Sequence, residues 1–183
     1  MPGTAPLQSS ASPAPRRTYV YVSNAADGTL SSYQLSAEGQ LQPLATLEAG
    51  AGALSLALSP DRSKLYAAIR GKPFTLATYG IDPANGALKL LKRATAADSL
   101  VYISTDNSGR YLLGSSYGDD LLSVNGINAD GVVSDNPQHV IDTGPSAHSI
   151  IVDASNRFAY ATILGADQLL AFNFDPASGA LAP

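Results

Sequence analysis

The chain has 183 residues, of which 45% are apolar and 14% are charged, so it is long enough to form one domain with a substantial core. Its net charge of -4 argues against a nucleic-acid surface, which needs clustered Lys and Arg. The absence of cysteine excludes a disulfide framework, a thiolate zinc site and a cysteine nucleophile, and no run of about eighteen apolar residues is present to cross a bilayer.

The predicted elements begin, in chain order, with a leader over residues 1–16 that is rich in Pro, Ser and Ala. We expect this leader to be disordered, and it lacks the apolar core of a secretory signal. Short segments in which apolar residues alternate with polar or small ones follow, and that period of two predicts strands. The predicted strands are 18–22, 29–35, 41–48, 54–59, 65–69, 74–81, 88–94, 100–104, 111–115, 121–127, 139–142, 149–152, 158–163 and 169–174. No window predicts a helix.

A repeat organises these strands. The heptapeptide DPANGAL at 82–88 returns as DPASGAL at 175–181, ninety-three positions later. Half of that step also separates matching apolar runs, which begin at Tyr19, Leu65, Tyr111 and Ala159 with steps of 46, 46 and 48. A fixed period of about 40 to 50 residues is typical of repeat architectures. Four antiparallel strands in each unit, without helices, predict an all-β propeller, because a β-sandwich would not recur at a fixed period.

The repeats predict an incomplete β-propeller over residues 17–183, with about three and a half four-stranded blades. A blade is stable when neighbours cover both of its faces, so an open arc exposes an apolar face at each end. We therefore expect either that the chain is part of a longer propeller or that it associates with a second copy.

Strand direction predicts where the functional residues lie. The first strand of each blade runs away from one rim and the second strand returns to it, so residues before the first strand and after the second share that rim. Asp61 and Asp106 lie at the far end and are predicted to be turn residues. The rim set is Asn24, Arg70, Lys72, Ser116, Tyr117, Asp119, His148, Leu164 and Asp167.

Within this set, His148 is a candidate general base because imidazole titrates near neutral pH. The alternative is a hydrogen-bonded histidine at the start of a strand. Arg70 and Lys72 could hold a phosphate group, since guanidinium matches phosphate oxygens, although both could be solvated loop charges. His139 lies in an outer strand and is expected to be structural.

Two other patterns are discounted. Residues 114–118 read GSSYG and fit the Gly-x-Ser-x-Gly motif of α/β-hydrolases, but that motif needs a helix after the turn and a strand is predicted here. Asp119 and Asp120 are adjacent acids in a hairpin, which supply too few ligands for calcium. No cluster of His and carboxylate residues predicts a metal, and no cofactor is expected.

Several segments, in the same order, resemble one family: LSPD at 58–61, YISTD at 102–106, GPSAHSI at 144–150 and NRFAY at 156–160. They are similar to the propeller-type 6-phosphogluconolactonases, a family that also includes propeller-fold muconate lactonizing enzymes. The resemblance implies a seven-bladed propeller that hydrolyses the δ-lactone of 6-phosphogluconate in the pentose phosphate pathway, in the cytoplasm and without a metal or cofactor.

The resemblance also implies roles for individual residues. His148 matches the family's pocket histidine and is the expected catalytic residue. Four other positions are expected to bind substrate: Arg70, Ser116, Tyr117 and Asp167. Three positions depart from the common pattern, because Ser146 replaces a histidine, Ile163 an aspartate and Gln168 a basic residue.

The resemblance covers the N-terminal half of the family. The later blades bring an arginine and a glutamate into the pocket, and neither has a counterpart in this sequence. The leading hypothesis is a lactone hydrolase acting on a small sugar lactone, impaired by the missing half and without nucleic-acid or membrane partners. The alternatives are a non-catalytic binding or scaffold propeller and a lactonizing enzyme of the muconate type. Self-association through the open blade faces is a further expectation.

Overall fold

The computed structural model describes residues 17–183, so the predicted disordered leader at 1–16 lies outside the described residues. Fifteen β-strands and one 3₁₀ turn, Leu164–Ala166, are present in this part of the chain. The strands are β1 (Thr18–Asn24), β2 (Thr29–Leu35), β3 (Leu41–Glu48), β4 (Ala53–Leu58), β5 (Lys64–Ile69), β6 (Thr75–Ile81), β7 (Leu88–Thr95), β8 (Leu100–Thr105), β9 (Tyr111–Ser116), β10 (Leu121–Gly126), β11 (His139–Asp142), β12 (Ala147–Val152), β13 (Phe158–Ile163), β14 (Gln168–Phe174) and β15 (Leu181–Ala182).

The strands form four antiparallel sheets in chain order. Sheet 1 contains β1 to β3, sheet 2 β4 to β7, sheet 3 β8 to β11 and sheet 4 β12 to β15. Every predicted strand is present with ends within two residues of those expected, whereas the 3₁₀ turn after β13 and the short strand β15 were not predicted. None of the helical segments found between residues 17 and 183 is long and apolar enough to cross a membrane.

The sheets are arranged radially. The first strands of sheets 2, 3 and 4 lie side by side, β4 next to β8 and β8 next to β12. Sheet 1 has three strands, and β1 packs near β4 as β5 packs near β8. The repeat step of 46 residues from Tyr19 to Leu65 also matches β1 to β5, the second strand of its sheet. The predicted all-β, incomplete propeller is thereby confirmed as an open arc of four blades.

A separate apolar core fills each space between neighbouring sheets. Leu30 and Tyr79 belong to the core between sheets 1 and 2, and Leu112 belongs to the core between sheets 2 and 3. Leu113 and Ile150 belong to the core between sheets 3 and 4. Because side chains alternate along a strand, consecutive residues of β9 serve two different cores. Burying each of these large apolar side chains stabilises the fold by about 1.5 to 3 kcal/mol.

The repeated heptapeptide forms the last hairpin of sheets 2 and 4 and contacts the preceding sheet. The hydroxyl of Tyr19 in β1 donates to the carbonyl of Ala84 at 2.9 Å. The hydroxyl of Tyr111 in β9 donates in the same way to Ala177 at 2.8 Å. The echo in the sequence therefore marks a contact between blades as well as a turn.

The prediction that the far-end aspartates are turn residues is confirmed. Asp106 is fully buried and its carboxylate accepts from the backbone N–H groups of Ser108, Arg110 and Tyr111. It also accepts from the Ser108 hydroxyl and, across the blade boundary, from Asn156 Nδ2 at 3.0 Å. Burial acts to raise the pKa of Asp106, but these hydrogen bonds outweigh it and the pKa is lowered.

The outer face of sheet 4 is apolar and exposed. Along β13, Ala159 and Ala161 are buried against sheet 3, whereas Phe158 and Tyr160 point the other way and are exposed. Leu169 on the neighbouring strand is 66% exposed. β13 thus carries apolar side chains on both of its faces, which is the pattern of a strand that lies between two packed layers.

Candidate functional site

The antiparallel pairing places one end of every sheet at a common rim. β1, β5, β9 and β13 end there, and β4, β8 and β12 begin there. All nine residues of the predicted rim set lie in or next to these strand ends. The turns that contain Asp61 and Asp106 lie at the opposite end, as predicted.

His148 is positioned by a β-bulge. Ala147 pairs with Ile163 and Ser149 pairs with Thr162, so His148 is the additional residue that has no partner across the ladder. The innermost strands of sheets 2 and 3 are irregular at the same place, between Ala53 and Leu56 and between Leu100 and Tyr102. A bulge redirects the side chain that it carries, and the His148 side chain is exposed at the rim.

An open cavity of about 530 Å³ lies beside this imidazole. His148 and Asp167 both line it, together with Thr162 on β13 and Leu169 on β14. Asp167 follows the 3₁₀ turn with a φ of 52°, and its N–H donates to the carbonyl of Leu164 at 3.3 Å. The turn therefore brings a carboxylate to the same cavity as the histidine, as the sequence predicted for two residues of one rim.

Tyr117 contacts His148 from the neighbouring blade. The two ring centroids are 6.1 Å apart and the rings are nearly perpendicular, at 86°. This edge-to-face geometry is favourable for aromatic pairs and contributes about 0.5 to 1.5 kcal/mol. Tyr117 is itself exposed, so Tyr117 and His148, which were each predicted to lie at the rim, meet at its surface.

Ser116 lies beneath the rim surface. It is fully buried, and its hydroxyl donates to a carboxylate oxygen of Asp98 at 2.5 Å. The same hydroxyl oxygen accepts from the N–H of Asp119 at 3.3 Å. Ser116 therefore binds protein groups on two sides, and its contact to the site runs through the adjacent Tyr117.

Sequence reasoning did not single out Asp98, which is buried. Its position two residues before β8 satisfies the same rule that selected His148, so the signal was present in the strand order. The next residue, Ser99, accepts a hydrogen bond from Nε of Arg70 at 2.7 Å. The bond from Arg70 to Ser99 thus connects the loop after β5 of sheet 2 to the segment before β8 of sheet 3, whereas the bond from Ser116 to Asp98 lies within sheet 3.

Lys72 is directed elsewhere. Its ammonium group lies 5.6 Å from the ring centroid of Phe74, within range of a cation–π interaction. Asn24 donates to Ser31 and Thr29 inside sheet 1. The structure therefore brings Tyr117 and Asp167 to His148. Arg70 is exposed on the same rim and its hydrogen-bond partner is Ser99, while Lys72 and Asn24 have local partners.

Between residues 17 and 183, no three His, Asp or Glu side chains lie close enough to hold a metal ion. Of the two acids discounted as calcium ligands, Asp120 accepts the N–H of Ser146 through its carboxylate at 2.7 Å. The metal-free and cofactor-free assignments stay predictions.

Comparison with known proteins places this geometry in context. The family model described as "Lactonase, 7-bladed beta-propeller" matches residues 14–183. A 6-phosphogluconolactonase of Serratia proteamaculans is 36% identical over 164 residues, which are 90% of this chain and 48% of that protein. A 6-phosphogluconolactonase of Pectobacterium atrosepticum is 33% identical over 82% of this chain and 44% of its own length. The chain thus spans about half the length of the curated relatives that it matches.

Solved structures show the same fold. A Bacteroides uniformis protein assigned as a 6-phosphogluconolactonase superposes with a TM-score of 0.80 at 20% identity, over 91% of this chain and 53% of that one. A periplasmic gluconolactonase of Pseudomonas aeruginosa superposes with a TM-score of 0.74 at 22% identity, over 84% of this chain and 48% of that one.

Proposed function

The chain belongs to the seven-bladed β-propeller lactonase family, and on that premise we propose that it hydrolyses a sugar δ-lactone. The substrate we assign is 6-phospho-D-glucono-1,5-lactone, which opens to 6-phosphogluconate in the pentose phosphate pathway. The observation that carries the proposal is His148, held out by a bulge at the rim and lining the same cavity as Asp167. The names of the curated relatives support the choice of lactone.

The chemistry assigned to His148 is general-base activation of water. The imidazole takes a proton from water as its oxygen attacks the lactone carbonyl, and a tetrahedral oxyanion forms. Collapse of this intermediate breaks the bond between the carbonyl carbon and the ring oxygen. The imidazolium then returns its proton to the leaving ring oxygen, so the product is a hydroxy acid and the base is regenerated. The exposure of His148 allows water to reach it.

Three rim residues are assigned to substrate. Arg70 is exposed, and its bond to Ser99 through Nε fixes the plane of the guanidinium group, which suits a phosphate ester. Tyr117 and Asp167 flank His148 from two blades and offer a hydroxyl and a carboxylate to sugar hydroxyls. Ser116 was predicted to bind substrate directly, and its burial supports an indirect contribution through Tyr117.

The test is hydrolysis of freshly prepared 6-phosphogluconolactone by the purified chain, followed by acid release. The wild-type rate is expected to exceed the buffer rate, and His148→Ala is expected to return it to that of buffer. His139→Ala is the matched control, because His139 lies on the outer strand β11 and is expected to leave the rate unchanged. A wild-type rate equal to buffer would reject the proposal for this chain.

One observation favours a second function, a non-catalytic binding propeller. The family resemblance implies an aspartate at the position of Ile163, and Ile163 is 1% exposed within the core between sheets 3 and 4. The rim of this chain therefore lacks the carboxylate that the resemblance implies at this position. A ligand that binds at the rim and is recovered unchanged would support this function over hydrolysis. Release of a muconolactone-type product would instead support the lactonizing alternative.

Self-association through the exposed apolar face of sheet 4 is a further part of the proposal. The exposed apolar face that contains Phe158, Tyr160 and Leu169 suits contact with a second copy of the chain. Sedimentation at high concentration tests this contact. Tyr160→Lys is expected to reduce the sedimenting mass, and a strictly monomeric wild-type chain would contradict self-association.

We assign the enzyme to the cytoplasm, and cell fractionation tests that assignment because one structural relative is periplasmic.

A further inference from the structure

The turn between β9 and β10 is held at its first end from inside sheet 3. Ser116 closes β9, and its buried hydroxyl bridges the Asp98 carboxylate and the N–H of Asp119. A hydrogen bond to an ionised carboxylate is stronger than one between neutral groups. Asp98 therefore fixes the start of the segment that presents Tyr117 to His148.

The second end of the turn is held by the segment that connects β11 to β12. Asp120 Oδ1 accepts the N–H of Ser146 at 2.7 Å. The backbone carbonyl of Asp120 also accepts two bonds from Thr143, from its N–H and its hydroxyl, both at 2.8 Å. Asp120 thus binds the segment that leads into β12 through both its side chain and its main chain.

Ser146 has an unfavourable backbone conformation. Its φ is 64°, in the left-handed region that residues with a Cβ rarely adopt. Such a conformation persists when surrounding contacts stabilise it. The Asp120 carboxylate supplies one contact to the N–H, and the N–H of Leu164 supplies another by donating to the Ser146 carbonyl at 2.9 Å. The bulge that carries His148 follows two residues later.

We propose that Asp120 is a positioning residue for His148. Its carboxylate holds Ser146 in the conformation from which the β12 bulge starts, and the turn anchored by Asp98 brings Tyr117 against the same imidazole. Asp120 itself touches neither water nor lactone in this scheme. The catalytic consequence depends on the proposed lactonase activity, whereas the positioning can be measured without any substrate.

The experiment follows the imidazole signals of the full chain by NMR at about pH 8.5, where an ordinary imidazole is neutral. The chain has two histidines, so His139 is an internal control in each spectrum. Tyr117→Ala gives the reference chemical shifts of the His148 imidazole in the absence of the neighbouring tyrosine ring. Asp120→Ala is expected to move the His148 signals toward that value and to leave those of His139 in place. Asp120→Asn keeps an acceptor oxygen and is expected to retain most of the wild-type shift.

A second set of variants keeps the proposal testable if Asp120→Ala fails to fold. Ser146→Gly removes the steric cost of the left-handed conformation, so the double variant Asp120→Ala/Ser146→Gly is expected to fold and to recover part of the His148 shift. Asp130→Ala removes an exposed acid at the far end of the molecule and is expected to change neither histidine.

The kinetic readout adds the connection to catalysis. Asp120→Ala is expected to lower kcat about ten- to one-hundred-fold with KM little changed, because a small misplacement of a base affects the chemical step. His148 signals that do not move in Asp120→Ala would overturn the proposal, and so would equal movement of the His139 signals. If the wild-type chain has no lactonase activity, the proposed function fails while the NMR result still decides the positioning.

Discussion

Gly86 packs directly on the ring of Tyr19, so closely that a Cβ added to the glycine would lie 2.4 Å from Cδ1 of the tyrosine. Gly179 packs on Tyr111 in the same way, with a corresponding distance of 2.5 Å to Cε1. Both glycines have a positive φ, 72° and 75°. Each glycine therefore meets two requirements, a positive φ in the turn and a close approach to the tyrosine ring of the preceding blade. These two requirements explain why the heptapeptide recurs with so little change.

The first prediction concerns this contact. Gly86→Ala is expected to destabilise the fold by about 2 to 4 kcal/mol, because it adds a clash with an aromatic ring to the cost of a positive φ. Gly39→Ala is the control, since Gly39 has a φ of 80° and nothing within 4 Å of the added Cβ. It is expected to cost about 1 kcal/mol. Urea unfolding measures both, and equal losses would show that the Tyr19 contact is unimportant.

The sequence predicted the architecture well because its signals are local. The alternation of apolar with polar or small residues predicted the strands, and the spacing between the two copies of the turn around Gly86 predicted the repeat. Contacts between blades were not accessible in the same way. The bond between Asp120 and Ser146 joins two connecting segments whose residues are 26 positions apart, and no pattern along the chain indicates it.

The site was predicted in outline for the same reason. Strand order places Ser116 at the rim, but it does not tell whether the last residue of a strand points outward or into the protein. The bulge at His148 was also missed, since one extra residue in a ladder leaves no mark in an apolar strand with small and polar residues around it. Rim residues could thus be predicted, whereas their orientation could not.

A second prediction concerns the buried carboxylate of Asp106. Asp106→Ala is expected to cost about 3 kcal/mol or more, because backbone donors of the β8–β9 turn and the Asn156 amide lose a charged acceptor. Asp130→Ala is the matched control, since Asp130 is exposed, and its expected cost is below about 0.5 kcal/mol. Chemical unfolding of both variants is the measurement, and a loss below about 1 kcal/mol for Asp106→Ala would contradict the assigned role.

A third prediction concerns stability in acid. Hydrogen bonds from the Ser59 hydroxyl, and from the backbone and hydroxyl of Ser63, lower the pKa of Asp61 to about 2. The hydroxyl of Ser155, with backbone N–H groups, lowers the pKa of Asp153 to about 2. In the unfolded chain an aspartate side chain has a pKa of about 3.9. The stability that the ionised Asp61 and Asp153 add to the folded chain is therefore present above that pH and is lost as the pH falls toward about 2.

Asp61→Asn isolates the charge, because the amide oxygen can still accept hydrogen bonds in the turn. The variant is expected to lose less stability than the wild type between about pH 4 and pH 2, while the two curves run parallel above pH 5. Urea unfolding midpoints across this range provide the measurement. Asp130→Asn is the control for removing one exposed acid, and an identical change in both variants would assign the effect to net charge.

The last prediction tests the phosphate contact of Arg70. Arg70→Ala is expected to raise KM for 6-phosphogluconolactone about ten- to one-hundred-fold, the loss of one charged hydrogen-bonding group to phosphate. The KM for the unphosphorylated gluconolactone is expected to change little, because that substrate lacks the partner. Arg62→Ala is the matched control, since Arg62 is an exposed arginine in the turn between β4 and β5, at the opposite end of the molecule. Steady-state kinetics on both lactones distinguishes a phosphate contact from a general loss of charge. An equal rise in KM for the two lactones, or an equal effect of Arg62→Ala, would remove Arg70 from the binding site.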